Sequence, residues 1–181
     1  MYRMSEKPLI TADAIKNRIR ELAAEINSSF DYDILLSSLT GAFMFTADLS
    51  KALAEVQKES IASKRIAFIK ASSYGNSMQS SGSLKVTGID TLDIRDKKVL
   101  LVDDIADSGK TLLELSKIVL EKGAKEVRTC VLLNKQERRE VEITADFVGF
   151  EIANEFVIGY GLDYAEEYRL LPEIWTLQET T

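Results

Sequence analysis

The sequence predicts an α/β fold with a central, mainly parallel sheet flanked by helices, and three patterns support this. Residues 99–102 are an uninterrupted apolar run, as in a strand buried on both faces. A helical pattern over 111–121 and a second strand pattern over 126–133 follow, and such a strand, helix and strand unit requires parallel strands with a right-handed crossover. An earlier strand, turn and helix unit covers 33–54. The length of 181 residues, 45% of them hydrophobic, suits one domain with one core.

The remaining elements follow in chain order. Thr11 is a candidate N-cap for a first helix over 12–28, whose apolar residues recur at helical spacing. Apolar residues predict a strand over 33–39, a helix over 42–54 and a strand over 65–71. A polar Ser/Gly break over 72–83 precedes a return strand at 84–88, and short strands are expected at 146–150, 156–159 and 174–177.

The composition excludes several classes of function. The single cysteine, Cys130, lies in an apolar run, which indicates a buried thiol and rules out an internal disulfide. The absence of histidine removes the Ser-His-Asp and Cys-His mechanisms and every His-ligated metal site. A net charge of −6 argues against nucleic-acid binding. No segment resembles a signal peptide or a membrane span, so we expect a cytoplasmic protein without a membrane partner.

Residues 103–111 carry the strongest chemical signal, because they lie where a predicted parallel strand ends and a helix begins. Amides and hydroxyls at such a helix start can cradle a phosphate, and Gly109 allows a close approach. The preceding aspartates would repel a phosphate unless they meet sugar hydroxyls, a metal ion or an exchangeable proton. This combination indicates a sugar phosphate handled with magnesium.

These residues have three other interpretations. A P-loop would need a glycine where this chain has Asp104. A receiver domain would need more chain after Asp103 than is present. An acidic turn with a capping serine is the ordinary structural explanation of a short Asp/Ser/Gly cluster.

Residues 99–112 read VLLVDDIADSGKTL and resemble the phosphoribosyl-pyrophosphate-binding motif of the type I phosphoribosyltransferases. The run 146–169, DFVGFEIANEFVIGYGLDYAEEYR, is similar to the 6-oxopurine branch of that family, the hypoxanthine-guanine enzymes. The similarity extends from about residue 10 to about residue 177. It implies transfer of a phosphoribosyl group from phosphoribosyl pyrophosphate to hypoxanthine or guanine, with Mg²⁺ as cofactor.

The resemblance also implies roles for the residues of the motif. Asp103 and Asp104 would bind the ribose hydroxyls and the metal, and Asp107 would be the general base. The full set expected to bind phosphoribosyl pyrophosphate is Asp103, Asp104, Ile105, Ala106, Asp107, Ser108, Gly109, Lys110 and Thr111. The first acidic position, often Glu in purine-salvage members, is Asp103 here.

Pyrophosphate would be bound by Leu39, Thr40 and Gly41, together with Arg169. The first peptide bond of this loop is often cis in the family, which would point backbone amides at the pyrophosphate. Many members have Lys where this chain has Thr40, so binding here would rest on the backbone.

For the base, the resemblance implies Lys135 as donor to the 6-oxo group, Phe156 stacking on the purine and the Val157 backbone reading its edge. Leu162 and Asp163 would complete the pocket, and Asp163 would be a further magnesium position. Judged without the resemblance, Lys135 would be a solvated surface residue and Phe156 a core aromatic. Ser73 and Tyr74 would belong to a lid that closes during the reaction.

By the same resemblance, residues 1–181 would form a single phosphoribosyltransferase domain. Its core spans about 30–155, and a small hood comes from the N-terminal segment and about 156–181. We expect small-molecule substrates and a homodimer or homotetramer. The alternatives are a transcription attenuator of this fold that binds RNA, for which Arg138-Arg139 is the nearest basic candidate, and a xanthine-preferring transferase. The base pocket argues against a pyrimidine substrate.

Overall fold

The computed structural model describes residues 2–73 and 84–179, which form two sheets and three α-helices. The strands and helices in chain order are β1 Tyr2–Met4, α1 Ala12–Ser29, β2 Ile34–Leu39, α2 Phe43–Val56, β3 Arg65–Ser73, β4 Leu84–Thr87, β5 Lys98–Ala106, α3 Lys110–Glu121, β6 Glu126–Asn134, β7 Phe147–Glu151, β8 Val157–Ile158 and β9 Trp175–Glu179. Short 3-10 helices lie at Ile61–Ser63, Ile89–Thr91 and Gln136–Arg138.

The larger sheet has six strands in the order β4-β3-β2-β5-β6-β7. All neighbouring strands pair in parallel except β3 and β4, which are antiparallel. The predicted α/β fold with a mainly parallel central sheet is therefore confirmed. The carboxyl ends of β2, β5 and β6 meet at one edge, which is where open α/β sheets bind ligands.

Helices cover both faces of this sheet. α1 and α2 pack on one face through a cluster that includes Leu22, Phe45 and Leu100, while α3 packs on the other through Leu115 and Leu101. Leu100 and Leu101 are consecutive residues on opposite faces, and both are fully buried, as the apolar run of β5 predicts. Cys130 is buried as predicted, and burial raises the pKa of its thiol.

The second sheet has three antiparallel strands in the order β1-β9-β8 and joins the two ends of the chain. Strand β1 was not predicted from the sequence. It has only three residues, and these pair with Leu177 to Glu179 at the other end of the chain. No local sequence pattern identifies so short a strand. The small sheet brings residues 157–179 together with the N-terminus.

Several element boundaries differ from those predicted. Strand β5 continues through the acidic pair to Ala106, because Asp103, Ile105 and Ala106 still pair with β6. Strand β3 continues to Ser73, whereas Tyr74 and the rest of the Ser/Gly break lie outside the described residues. Of the helices that the structure describes, none combines the length and the hydropathy that crossing a membrane requires.

Candidate active site

The loop between β5 and α3 lines a cavity of about 330 Å³ at the carboxyl edge of the sheet. Strand β5 ends at Ala106, and α3 begins at Lys110 with Gly109 as its N-cap. Gly109 has φ +83°, a left-handed conformation that favours glycine. The positive end of the α3 dipole therefore lies beside the cavity, as in a phosphate-binding loop.

The acidic pair lies at the floor of this cavity. Asp103 is buried, and its carboxylate accepts a hydrogen bond from the Asp104 N–H at 3.1 Å. Asp104 in turn accepts from the Ile105 N–H at 2.8 Å. Burial and repulsion from Asp104 raise the pKa of Asp103 well above its ordinary value, and burial raises the pKa of Asp104. Without a bound cation, the protein therefore disfavours the charged form of both side chains.

A hard cation would fit this pair, because two adjacent carboxylates with raised pKa values are both stabilised as anions when a divalent ion is bound. The described residues contain no group of three or more acidic or Cys side chains able to hold a metal by themselves. Further oxygen ligands would therefore have to come from substrate or water, as is usual for Mg²⁺.

The loop after β2 borders the same cavity through Leu39 and Gly41, and the peptide bond between Leu39 and Thr40 is cis. Thr40 is exposed and is not among the cavity-lining residues, although Ser38, which precedes the loop, is. Gly41 lies very close to the acidic pair. A Cβ at position 41 would come within 1.7 Å of the Asp104 Oδ2.

Asp163 and Arg169, from the chain beyond β8, close the other side of this cavity. The Arg169 Nη2 forms an ion pair with Asp163 at 2.9 Å, and the Nη1 donates to the Gly161 carbonyl at 2.8 Å. The other Asp163 oxygen accepts from the Glu166 N–H. Asp163 is therefore committed to Arg169 and its own loop, so binding a metal would require part of this arrangement to open.

A second cavity of about 530 Å³ adjoins the first. The two cavities share Asp104, Ile105, Asp107 and Asp163. The remaining residues that line the second cavity are Lys135, Arg138, Asn154, Glu155, Phe156, Val157 and Leu162. All five residues that the sequence assigns to a base pocket therefore line one cavity beside the phosphate loop.

Lys135 and Phe156 have the opposite burial from that expected of them without the family resemblance. Lys135 is only 5% exposed, and its Nζ lies 3.7 Å from the Asp107 Oδ2, whose charge compensates the buried ammonium. Phe156 is 50% exposed, and its ring forms a T-shaped pair with Tyr164, with the ring centroids 5.8 Å apart. A buried cation and an exposed aromatic ring are both poor for stability and useful for binding a ligand.

Asp107 lies between the two cavities and between two cations. Besides Lys135, the Arg138 Nε lies 3.3 Å from its Oδ1. Arg138, Asn154 and Glu155 also line the second cavity and were not predicted from the sequence. For Arg138 the basic pair was visible in the sequence, but nothing local shows that it faces Asp107.

Lys110 was predicted in the phosphate loop, but it does not line the cavity. The Lys110 side chain pairs with Glu140, and only its backbone belongs to the loop. Of the two lid residues, Ser73 ends β3, and Tyr74 lies outside the described residues.

Comparison with known proteins agrees with this geometry. Residues 10–165 match the model of the phosphoribosyl transferase domain. A hypoxanthine-guanine phosphoribosyltransferase of Aquifex aeolicus is 43% identical over 176 residues, covering 96% of this chain and 95% of that protein. The hypoxanthine phosphoribosyltransferase of Escherichia coli K12 is 42% identical over 170 residues, covering 92% of each.

Solved structures agree as well. A hypoxanthine phosphoribosyl transferase of Trypanosoma cruzi superposes with a TM-score of 0.86 at 37% identity, covering 98% of this chain and 94% of the other. A hypoxanthine-guanine phosphoribosyltransferase of Bacillus anthracis gives a TM-score of 0.83 at 35% identity, covering 98% and 100%. Matches of this extent, together with the phosphate loop and its acidic pair, establish that the chain belongs to the phosphoribosyltransferase family.

Proposed function

We propose that this protein is a purine-salvage enzyme that transfers the phosphoribosyl group of phosphoribosyl pyrophosphate to hypoxanthine or guanine, giving IMP or GMP and pyrophosphate. The observation that carries the proposal is the pair of adjoining cavities that share Asp107. One has the loop and acidic pair suited to a sugar phosphate. The other has a cationic donor and an exposed aromatic ring suited to an oxopurine.

Asp107 is the proposed general base. As a purine ring nitrogen forms its bond to the ribose C1 and the bond from C1 to the pyrophosphate oxygen breaks, the nitrogen must lose a proton. The Asp107 carboxylate accepts that proton at the boundary of the two cavities. The Lys135 Nζ and the Arg138 Nε lie 3.7 and 3.3 Å from the Asp107 oxygens and hold the carboxylate in place before the base arrives.

Recognition of the base is assigned to three residues. The Lys135 ammonium donates to the 6-oxo group, which selects oxopurines over aminopurines because an amino group is itself a donor. The exposed Phe156 ring stacks on the purine, and the backbone of Val157 reads its edge. Leu162 supplies apolar contact from the floor of the cavity.

The proposed cofactor is Mg²⁺, held by Asp103 and Asp104 together with substrate oxygens, with Asp163 as a further ligand. When bound, the ion would neutralise the pyrophosphate and assist its departure as a leaving group. Arg169 and the Leu39–Gly41 loop would contact the pyrophosphate from the opposite wall. Ser73 and Tyr74 remain proposed lid residues.

A homodimer or homotetramer and a cytoplasmic location remain proposals. For association, exposed Ile66 and Phe68 on β3 offer an apolar surface, and light scattering of the purified chain tests it. The RNA-binding alternative has less support, because Arg138 pairs with Asp107 and the Arg139 guanidinium is largely buried.

The experiment that tests the proposal measures nucleotide formation from phosphoribosyl pyrophosphate with hypoxanthine, guanine, xanthine, adenine and uracil, each with and without Mg²⁺. We expect product from hypoxanthine or guanine only, and only with Mg²⁺. Faster turnover of xanthine would favour the xanthine-preferring alternative. Absence of product from every base would contradict an enzymatic function and return attention to RNA binding.

A further inference from the structure

We infer that Arg139 is a positioning residue that holds the phosphate loop from behind and supplies a positive charge to it. This inference rests on the proposed function, since it assigns the loop to a sugar phosphate. Arg139 belongs to the segment Gln136–Glu140, which directly follows Lys135 and is called here the strap.

The strap is fastened to the phosphate loop at several points. The Glu140 N–H donates to the Ser108 carbonyl at 3.0 Å, and the Glu140 carboxylate pairs with Lys110. Arg138 pairs with Asp107. The conformation of the loop is therefore determined by the strap as well as by β5 and α3.

Arg139 contacts the loop at Gly109. A Cβ at Gly109 would lie 2.7 Å from the Arg139 Nη1 and 2.8 Å from its Cδ, so the side chain packs directly against the glycine. Gly109 lines the phosphate cavity, whereas Arg139 lines a separate surface cavity beside Ile143. The guanidinium thus supports the loop without touching the space in which a phosphate would bind.

Among the described residues, no acidic side chain forms an ion pair with Arg139. Its Nη2 donates to the Asn134 Oδ1, but its Nε and Nη1 are buried without a hydrogen-bond partner among these residues. The Asn134 Nδ2 in turn donates to both carboxylate oxygens of Glu151, at 2.9 Å each. A half-buried guanidinium with two unpaired N–H groups is costly, and a phosphate group on the far side of Gly109 would relieve that cost.

These observations predict that Arg139 lowers the stability of the empty protein and raises its affinity for phosphate. A residue with only a structural role would instead raise the stability of the empty protein. Arg139→Met keeps much of the apolar stem and removes the charge, while Arg139→Lys keeps a charge and loses the planar fork. Arg95→Met, an exposed arginine on the connection before β5, is the matched control.

The test measures binding of ribose 5-phosphate by calorimetry, the KM values for phosphoribosyl pyrophosphate and hypoxanthine, and the unfolding temperature of the empty protein. Arg139→Met should weaken ribose 5-phosphate and raise the KM for phosphoribosyl pyrophosphate about tenfold, leave the KM for hypoxanthine within about threefold, and not lower the unfolding temperature. Arg139→Lys should restore part of the affinity for ribose 5-phosphate. Arg95→Met should leave ribose 5-phosphate binding, both KM values and the unfolding temperature unchanged.

Unchanged ribose 5-phosphate binding in Arg139→Met would overturn the inference, as would weaker binding accompanied by a lower unfolding temperature. Wild-type turnover measured alongside separates the two claims. A wild-type protein that binds ribose 5-phosphate but forms no nucleotide would refute the proposed function and leave the assignment of Arg139 to be decided by the binding data.

Discussion

Gly41→Ala is expected to damage the site while leaving the fold intact. The Cβ of alanine would lie 1.7 Å from the Asp104 Oδ2 and 2.7 Å from its Cγ, whereas an ordinary contact is about 3.5 Å. The carboxylate must therefore move by roughly 2 Å. Since a displacement of about 1 Å in a catalytic site can cost about a hundredfold in rate, kcat/KM for phosphoribosyl pyrophosphate should fall by about that factor, or about 2.7 kcal/mol.

The effect of Gly41→Ala on stability should be small. Gly41 does not have a positive φ, so alanine can adopt its backbone conformation. The clash is with the end of a side chain that can change rotamer at a cost of about 0.5–1.5 kcal/mol. The free energy of unfolding should therefore change by about 1.5 kcal/mol or less.

Gly123→Ala is the matched control, because it makes the same substitution at the end of α3, outside the site. Gly123 has φ +97°, and a Cβ there would meet nothing closer than 3.5 Å, so the cost is backbone strain without a clash. This variant should lose about 1–2 kcal/mol of stability and keep its kcat/KM. Steady-state kinetics of both variants measure kcat/KM, and urea unfolding measures their stability. Full activity in Gly41→Ala, or equal activity losses in both, would refute the reasoning.

Three further predictions concern the base pocket and the acidic pair. Lys135→Met should raise the KM for hypoxanthine about 10- to 100-fold, because a charged donor is lost, and an unchanged KM would remove Lys135 from base recognition. Phe156→Ala should raise the same KM about tenfold with little loss of stability, since the ring is half exposed, and a large drop in unfolding temperature would instead assign it to packing. The raised pKa of Asp104 means that the empty folded protein binds a proton there more tightly than the unfolded chain, so this stabilisation is lost as pH rises through the folded pKa. Without substrate or Mg²⁺, Asp104→Asn should therefore unfold at a higher temperature than wild type near neutral pH, with the difference vanishing in acid, and a variant less stable than wild type at pH 7 would contradict the sign.

The sequence predicted the fold well where structure is determined locally. The apolar run of β5 and the helical spacing of α3 show the parallel unit directly, and α1 ends within one residue of its predicted boundary. Strand β1 was missed because its stability comes from pairing with β9 at the opposite end of the chain.

The sequence predicted which residues form the candidate site, but it predicted much less of their burial and of their contacts. The loop after β5 can be recognised from its position at a strand end and from its composition. The residues of the base pocket were assigned from the family resemblance. Burial of Lys135 could not be predicted, because the carboxylate that makes it tolerable, that of Asp107, belongs to another loop. From the sequence, the basic pair is only the nearest candidate for RNA binding, and the tertiary structure is needed to show Arg138 at Asp107 and Arg139 behind Gly109.

The most direct test of this account is the separation of turnover from substrate binding in Asp107→Asn. Asp107 is the proposed proton acceptor at the boundary of the two cavities, so kcat should fall by about 10²- to 10⁴-fold. The dissociation constant for phosphoribosyl pyrophosphate with Mg²⁺, measured by calorimetry, should stay within about threefold of wild type, because asparagine preserves the shape of the loop. Turnover close to wild type would contradict the account and remove Asp107 from the role of general base.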